Sequence, residues 1–130
     1  MIKKIKKGKK IKLSKNFWSD EWDCHCSHRD CTHTFISTDL VKELQKKRSE
    51  WKRAIVLSSG YRCPYWNKKK GGARKSQHLL GTAADIAVAG KSSSWVADNC
   101  EDFNGLGRYP KHGFTHVDVR GGKKQRWKER

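Results

Sequence analysis

The stretch Ser76-Gln77-His78-Leu79-Leu80-Gly81-Thr82-Ala83-Ala84-Asp85 decides how this chain is read. It sets one imidazole and one carboxylate seven residues apart with small residues between them. Gly81 lets the chain turn back, and the run Thr82–Gly90 that follows is small and β-branched, which predicts a central strand. Side chains alternate along a strand, so Asp85 falls on the face opposite Ala84 and Ile86. A second segment, Phe114-Thr115-His116-Val117-Asp118, reads as the last strand. His116 and Asp118 share a face with Phe114, while Val117 and Val119 point the other way, into a core. An imidazole beside a carboxylate on one strand face is costly to bury unless both are paired or bound to a metal. A hydrolytic zinc wants three protein ligands and one open position for water. The spacing alone does not choose between such a site and a satisfied core histidine, because a single His-x6-Asp is common.

Outward from these segments, Gly60–Lys75 is a long loop punctuated by Pro64 and Gly71-Gly72. Loops of this length inside a small domain are more often functional than idle. Residues 54–59 (AIVLSS) predict a short buried strand, and 37–51 an amphipathic helix. Ser37 or Thr38 caps that helix, Asp39 sits in its first turn, and Leu40, Val41, Leu44 and Trp51 form its apolar stripe. Ser92-Ser93-Ser94 opens a second helix that runs to about Cys100. FNGLGRYP (103–110) reads as a Gly-rich turn, and the end of the chain as a basic tail. Helices and strands mix without a βαβ rhythm. The expected class is therefore α+β, a small antiparallel sheet with helices on one face.

The length, 130 residues, fits one domain with one modest core. We divide it into a basic arm, 1–15, with eight lysines, and a folded domain, 16–130. The arm shows no clean apolar helical face. It is expected to be solvated and partly disordered, or to tether the protein to an anionic surface. The net charge of +17, from 30 Lys+Arg against 13 Asp+Glu, draws the chain to polyanions without saying which. No apolar run is long enough to span a bilayer, and no apolar segment follows the basic N-terminus, so synthesis in the cytoplasm without a signal peptide is expected. Five cysteines argue against a closed disulfide framework. Cys24, Cys26 and Cys31, with His25, His28 and His33 beside them, leave three readings open: a zinc knuckle lacking an identified fourth ligand, a compact loop of buried thiols, or a disulfide.

Together the motifs resemble those of the D-alanyl-D-alanine carboxypeptidase and hedgehog-type zinc peptidases, in their short phage-associated branch. The resemblance rests on Ser76–Asp85, Ser59-Gly60-Tyr61-Arg62-Cys63-Pro64, Asn67, Gly71-Gly72, Gly107–Pro110, Phe114–Arg120 and Trp127, with Asp23–Cys26 and the helix after it also fitting. It spans roughly residues 16–127. It implies that His78, Asp85 and His116 hold a zinc ion (Zn2+), that Arg62 binds the substrate carbonyl or the oxyanion, and that Ser76 touches substrate or supports the ligands. Many relatives carry a Glu three residues, or a His two residues, before the last ligand; here those positions are Gly113 and Phe114. The expected base is therefore Asp118, with His112 as the alternative, and a role for Asp118 in orienting His116 remains open beside it. Tyr61 and Tyr109 are either packed side chains or part of the substrate groove.

The function this resemblance implies is cleavage of peptidoglycan stem peptides, as a D,D-carboxypeptidase, endopeptidase or endolysin acting at the bacterial cell wall after release. The expected protein is a monomer, with anionic wall or outer-membrane polymers as partners of the basic arm. Two other classes stand beside it. One is a non-catalytic zinc-binding module of the same fold. The other is a basic nucleic-acid-binding protein, although the cations are spread over both ends and residues 68–75 rather than set on one reading element, so no specific nucleic acid is expected.

Overall fold

The computed structural model describes residues 1–130. The expected α+β class is correct. Seven strands run β1 (Ile2–Lys6), β2 (His33–Ser37), β3 (Ile55–Ser59), β4 (Ala83–Val88), β5 (Gly105–Tyr109), β6 (Phe114–Asp118) and β7 (Gln125–Lys128). Three helices, α1 (Thr38–Trp51), α2 (Pro64–Lys69) and α3 (Ser93–Asp98), and two 3-10 turns, Ser19–Trp22 and Gln77–Leu80, lie between them. The main sheet has the order β3-β4-β6-β5-β7. All its pairs are antiparallel except β5–β7, which is parallel.

One face of this sheet is apolar. Ala84, Val117 and Leu106 stand in register across β4, β6 and β5. With Ile86 and Val88 they share one core with Leu40, Val41 and Leu44 of α1 and Val96 and Ala97 of α3. Ser37 is the cap of α1, its Oγ accepting the Leu40 N–H at 3.3 Å. Ser92 caps α3 in the same way through Trp95 N–H, at 3.1 Å. Trp51 at the end of α1 meets Trp95 of α3 edge-on, with ring centroids 5.3 Å apart. Burial of these side chains, at roughly 1.5–3 kcal/mol for each large one, is what fixes the helices to the sheet.

Five sequence expectations change. The arm is not loose: β1 pairs antiparallel with β2 from Ile2↔Ser37 to Lys6↔His33. Its lysines stay in water while Ile5 packs against the core, so an edge strand satisfies both the charge and the backbone. The strand after α1 is the outer edge of the sheet and only half buried, with Val56 59% exposed. The loop 60–75 contains α2, whose first turn accepts Pro64 because that position needs no N–H partner. FNGLGRYP is strand β5 instead of a turn, and the basic tail supplies β7 beside it.

Glycine at positions 105 and 107 serves close approach. A Cβ on Gly105 would lie 2.1 Å from both carboxylate oxygens of Asp118, and one on Gly107 would lie 2.5 Å from the Trp127 ring. Both glycines clear room for side chains on the second face of the sheet.

Candidate metal centre and active-site cleft

That second face carries the polar residues. Asp85, His116, Gly107 and Trp127 form one row across β4, β6, β5 and β7. With no side chain at Gly107, the rings of His116 and Trp127 come within 5.0 Å. His78 reaches the row from the 3-10 turn Gln77–Leu80, which Ser76 caps by accepting the His78 N–H on its Oγ at 3.2 Å. Gly81 then reverses the chain with φ 76°, and β4 begins.

His78, Asp85 and His116 are all buried, and one donor atom from each lies within 4.8 Å of the others. His78 Nε2 is 3.2 Å from Asp85 Oδ1, and His116 Nδ1 is 3.0 Å from the same oxygen. The far nitrogen of each ring is already committed. His78 Nδ1–H donates to the Gly60 carbonyl at 2.6 Å, and His116 Nε2–H donates to Asp118 Oδ2 at 2.7 Å. Each ring thereby turns its remaining nitrogen toward Asp85. Two oriented neutral imidazoles and one carboxylate are the donor set that a zinc with an open position requires. The residues fit the ion that the sequence implied.

Without an ion, these groups hold one another by charge. Burial works to raise the Asp85 carboxyl, but hydrogen bonds to His116 and His78 outweigh it and keep it well below the usual carboxylate range. Burial works against a charged His116, and its bonds to Asp118 and Asp85 reverse that and raise its pKa.

Asp118 lies behind His116, on the side away from Asp85. It is fully buried and absent from the cleft wall. Oδ2 takes the His116 N–H together with Arg120 NH2 at 2.7 Å, and Oδ1 takes Arg120 Nε at 2.8 Å and the Arg120 backbone N–H at 3.1 Å. Burial would raise its pKa, and the Arg120 guanidinium and His116 outweigh burial and hold it low. His112, the other expected base, is also outside the cleft: its side chain is 69% exposed and pairs with Glu129.

The cleft over the three candidate ligands has a volume of about 430 Å³. Arg62 lines it, with Nε donating to Ser59 Oγ at 3.1 Å and NH2 to Asp85 Oδ2 at 3.3 Å. Ser76 and Tyr109 line it as well, whereas Tyr61 packs in a separate small cluster with cysteines. Tyr109 stacks on Phe114, with centroids 4.5 Å apart, and its hydroxyl accepts the Trp127 indole N–H at 2.8 Å. The cations Arg62, Lys70, Lys75 and Arg120 border the cleft against a single carboxylate, Asp85.

Arg120 and Trp127 are parts of the site to which sequence reasoning gave no role. The Arg120 guanidinium lies 5.2 Å from the Trp127 ring, so one residue ties the buried carboxylate to the cleft wall. The two-residue step from Asp118 to Arg120 is the signal that was available, since such a step keeps both on one face of an extended chain. The structure also brings Cys24, Cys26 and Cys31 together with Cys63, while His28 lies tilted against the Tyr65 ring instead of joining them.

Comparison with curated proteins gives no match. The model of the Peptidase M15 family matches residues 15–118, most of the chain and all three candidate ligands, and the chain belongs to that family.

Proposed function

We propose that this protein is a zinc-dependent peptidase that cuts the stem peptides of bacterial peptidoglycan. The observation that carries the reading is the convergence of His78 Nε2, Asp85 Oδ1 and His116 Nδ1 on the floor of a cleft whose wall presents the Arg62 guanidinium. When bound there, zinc supplies a Lewis acid that acidifies water and polarises a scissile carbonyl. Arg62, steadied by Ser59 and Asp85, donates to the carbonyl oxygen as negative charge builds on it. Asp118 orients His116 through its Nε2–H and holds the ring in the ligand tautomer. Its burial and its four donors leave no oxygen to take a proton from the cleft, so we assign it as a positioning residue and not as the base. Among the groups on the cleft wall that are not ligands, Tyr109 has a hydroxyl hydrogen free to donate, since its oxygen accepts from Trp127.

Lys70 and Lys75, which border the cleft and pair with no carboxylate, favour a substrate that carries carboxylates, as peptidoglycan stem peptides do. The net charge of +17 suits action at an anionic wall, the setting of an endolysin, and a single copy carries every group named above. No helix is long and apolar enough to cross a membrane.

Digestion of purified sacculi, read by mass spectrometry of the released fragments, tests the reading and names the bond. Zinc-loaded protein should release stem-peptide fragments, and His78→Ala should release none. Fully zinc-loaded protein that is inert on sacculi of every stem-peptide type would overturn the assignment in favour of a binding module.

A further inference from the structure

We propose that Cys24, Cys26, Cys31 and Cys63 form a second, structural zinc site. Their four Sγ atoms lie within 4.8 Å of one another. Cys63 Sγ is 3.7 Å from Cys24 Sγ and 3.6 Å from Cys26 Sγ. A tetrahedral zinc with bonds of about 2.3 Å sets its sulfurs about 3.8 Å apart, so this spacing is that of a ligand cage. All the cysteines are free thiols, and the fifth, Cys100, sits elsewhere in the main core.

The surroundings separate a metal cage from a plain cluster of buried thiols. Lys7 places its ammonium 3.7 Å from Cys26 Sγ and 3.7 Å from Cys31 Sγ, and also donates to the Cys26 carbonyl at 2.9 Å. No carboxylate pairs with Lys7, and its half-exposed ammonium faces the sulfurs directly. Four thiolates around one zinc carry a net charge of about −2, which that ammonium complements. Backbone N–H groups also point at the sulfurs: that of Cys63 at Cys24 Sγ, and that of Trp66 at Cys63 Sγ, each at 3.4 Å. Such donors stabilise thiolates and recur around metal-bound sulfur.

The site cross-links chain segments that share little core. Cys24 and Cys26 follow the first 3-10 turn, Cys31 precedes β2, and Cys63 caps α2 directly after Arg62. Zinc there would pin the loop that carries both Arg62 and Gly60, whose carbonyl holds His78. On binding, the four thiol protons leave to solvent and zinc–sulfur bonds replace the ion's waters, with no change of oxidation state.

Metal content decides the matter without reference to peptidase activity. Full-length protein purified in reductant without chelator should hold two zinc ions per chain by elemental mass spectrometry. His78→Ala should hold one, and a mercurial thiol reagent should release it. His78→Ala loaded with cobalt should show intense thiolate-to-cobalt charge transfer and tetrahedral d–d bands. Cys31→Ser, at the half-exposed corner of the cage, should lose this zinc and retain the one held by His78. The proposal fails if wild type resupplied with zinc under reductant binds one ion and His78→Ala binds none. It fails equally if cobalt-loaded His78→Ala shows no sulfur charge-transfer band. Neither measurement depends on a cysteine variant folding.

Discussion

Asp118→Asn tests whether the buried carboxylate positions a ligand or moves a proton. Every lone pair direction at Asp118 faces a donor: His116 Nε2 and Arg120 NH2 at Oδ2, Arg120 Nε and backbone N–H at Oδ1. An asparagine NH2 therefore confronts two N–H groups whichever way the amide is turned. A buried polar group left unsatisfied costs about 1–3 kcal/mol. Breaking a buried ion pair reaches about 3–5 kcal/mol, but the Arg120 side chain is 25% exposed and can turn toward water. The expected loss is thus about 2–3 kcal/mol of unfolding free energy. Loss of the histidine's orienting carboxylate should weaken zinc binding at His78, Asp85 and His116 by about 10- to 100-fold. Competition against a graded series of chelators measures this directly. In saturating zinc, kcat should fall by less than about 10-fold. Zinc affinity unchanged within about 2-fold, with kcat down about 1,000-fold, would refute the positioning role and return Asp118 to the base.

Gly105→Ala should lower the unfolding free energy by about 1–3 kcal/mol in a denaturant titration and weaken zinc binding, because its Cβ overlaps both Asp118 oxygens. Deleting residues 1–6 should reduce the melting temperature by several degrees, equivalent to about 1–3 kcal/mol, since it removes the ladder with β2 and uncovers the core beside Ile5; an unchanged melting curve would return this segment to a loose arm. Chelated protein should lose stability steeply on acidification. The carboxyls of Asp85 and Asp118 are depressed in the folded state, so their contribution is complete above the unfolded value of about 4 and disappears as pH falls below it. Melting curves of the metal-free protein between about pH 6 and 2 check this, and Asp85→Asn should flatten the slope. Arg62→Lys should reduce kcat by at least about 10-fold with little change in zinc affinity, since lysine cannot bridge Ser59 and Asp85 while facing the carbonyl.

Much of the fold was legible because its signals are local. The stripe Leu40, Val41 and Leu44 marked α1, a serine marked the start of each of two helices, and alternation placed Asp85 and His116 on faces opposite Ala84 and Val117. The misread segments are those whose partners are distant in sequence. The lysine-rich N-terminus looks disordered by composition and becomes a strand only because β2 has an open edge. Gly105 and Gly107 look like turn residues and are there to clear space for Asp118 and Trp127.

For the candidate site, the period-two alternation by itself put His116 and Asp118 on one strand face and Asp85 opposite Ala84, while His78, Asp85 and His116 as ligands and Arg62 beside them came from the family resemblance of the motifs. A side chain's chemistry and its face on a strand are properties of a few adjacent residues. Only the tertiary structure decided which nitrogen of each ring faces Asp85, that Asp118 sits behind His116 instead of facing the cleft, and that Cys63 closes the corner left open by Cys24, Cys26 and Cys31. Those facts depend on contacts between residues up to 39 positions apart, such as Cys24 and Cys63. Only packing of the β4–β6–β5 sheet and its flanking loops fixes such distances.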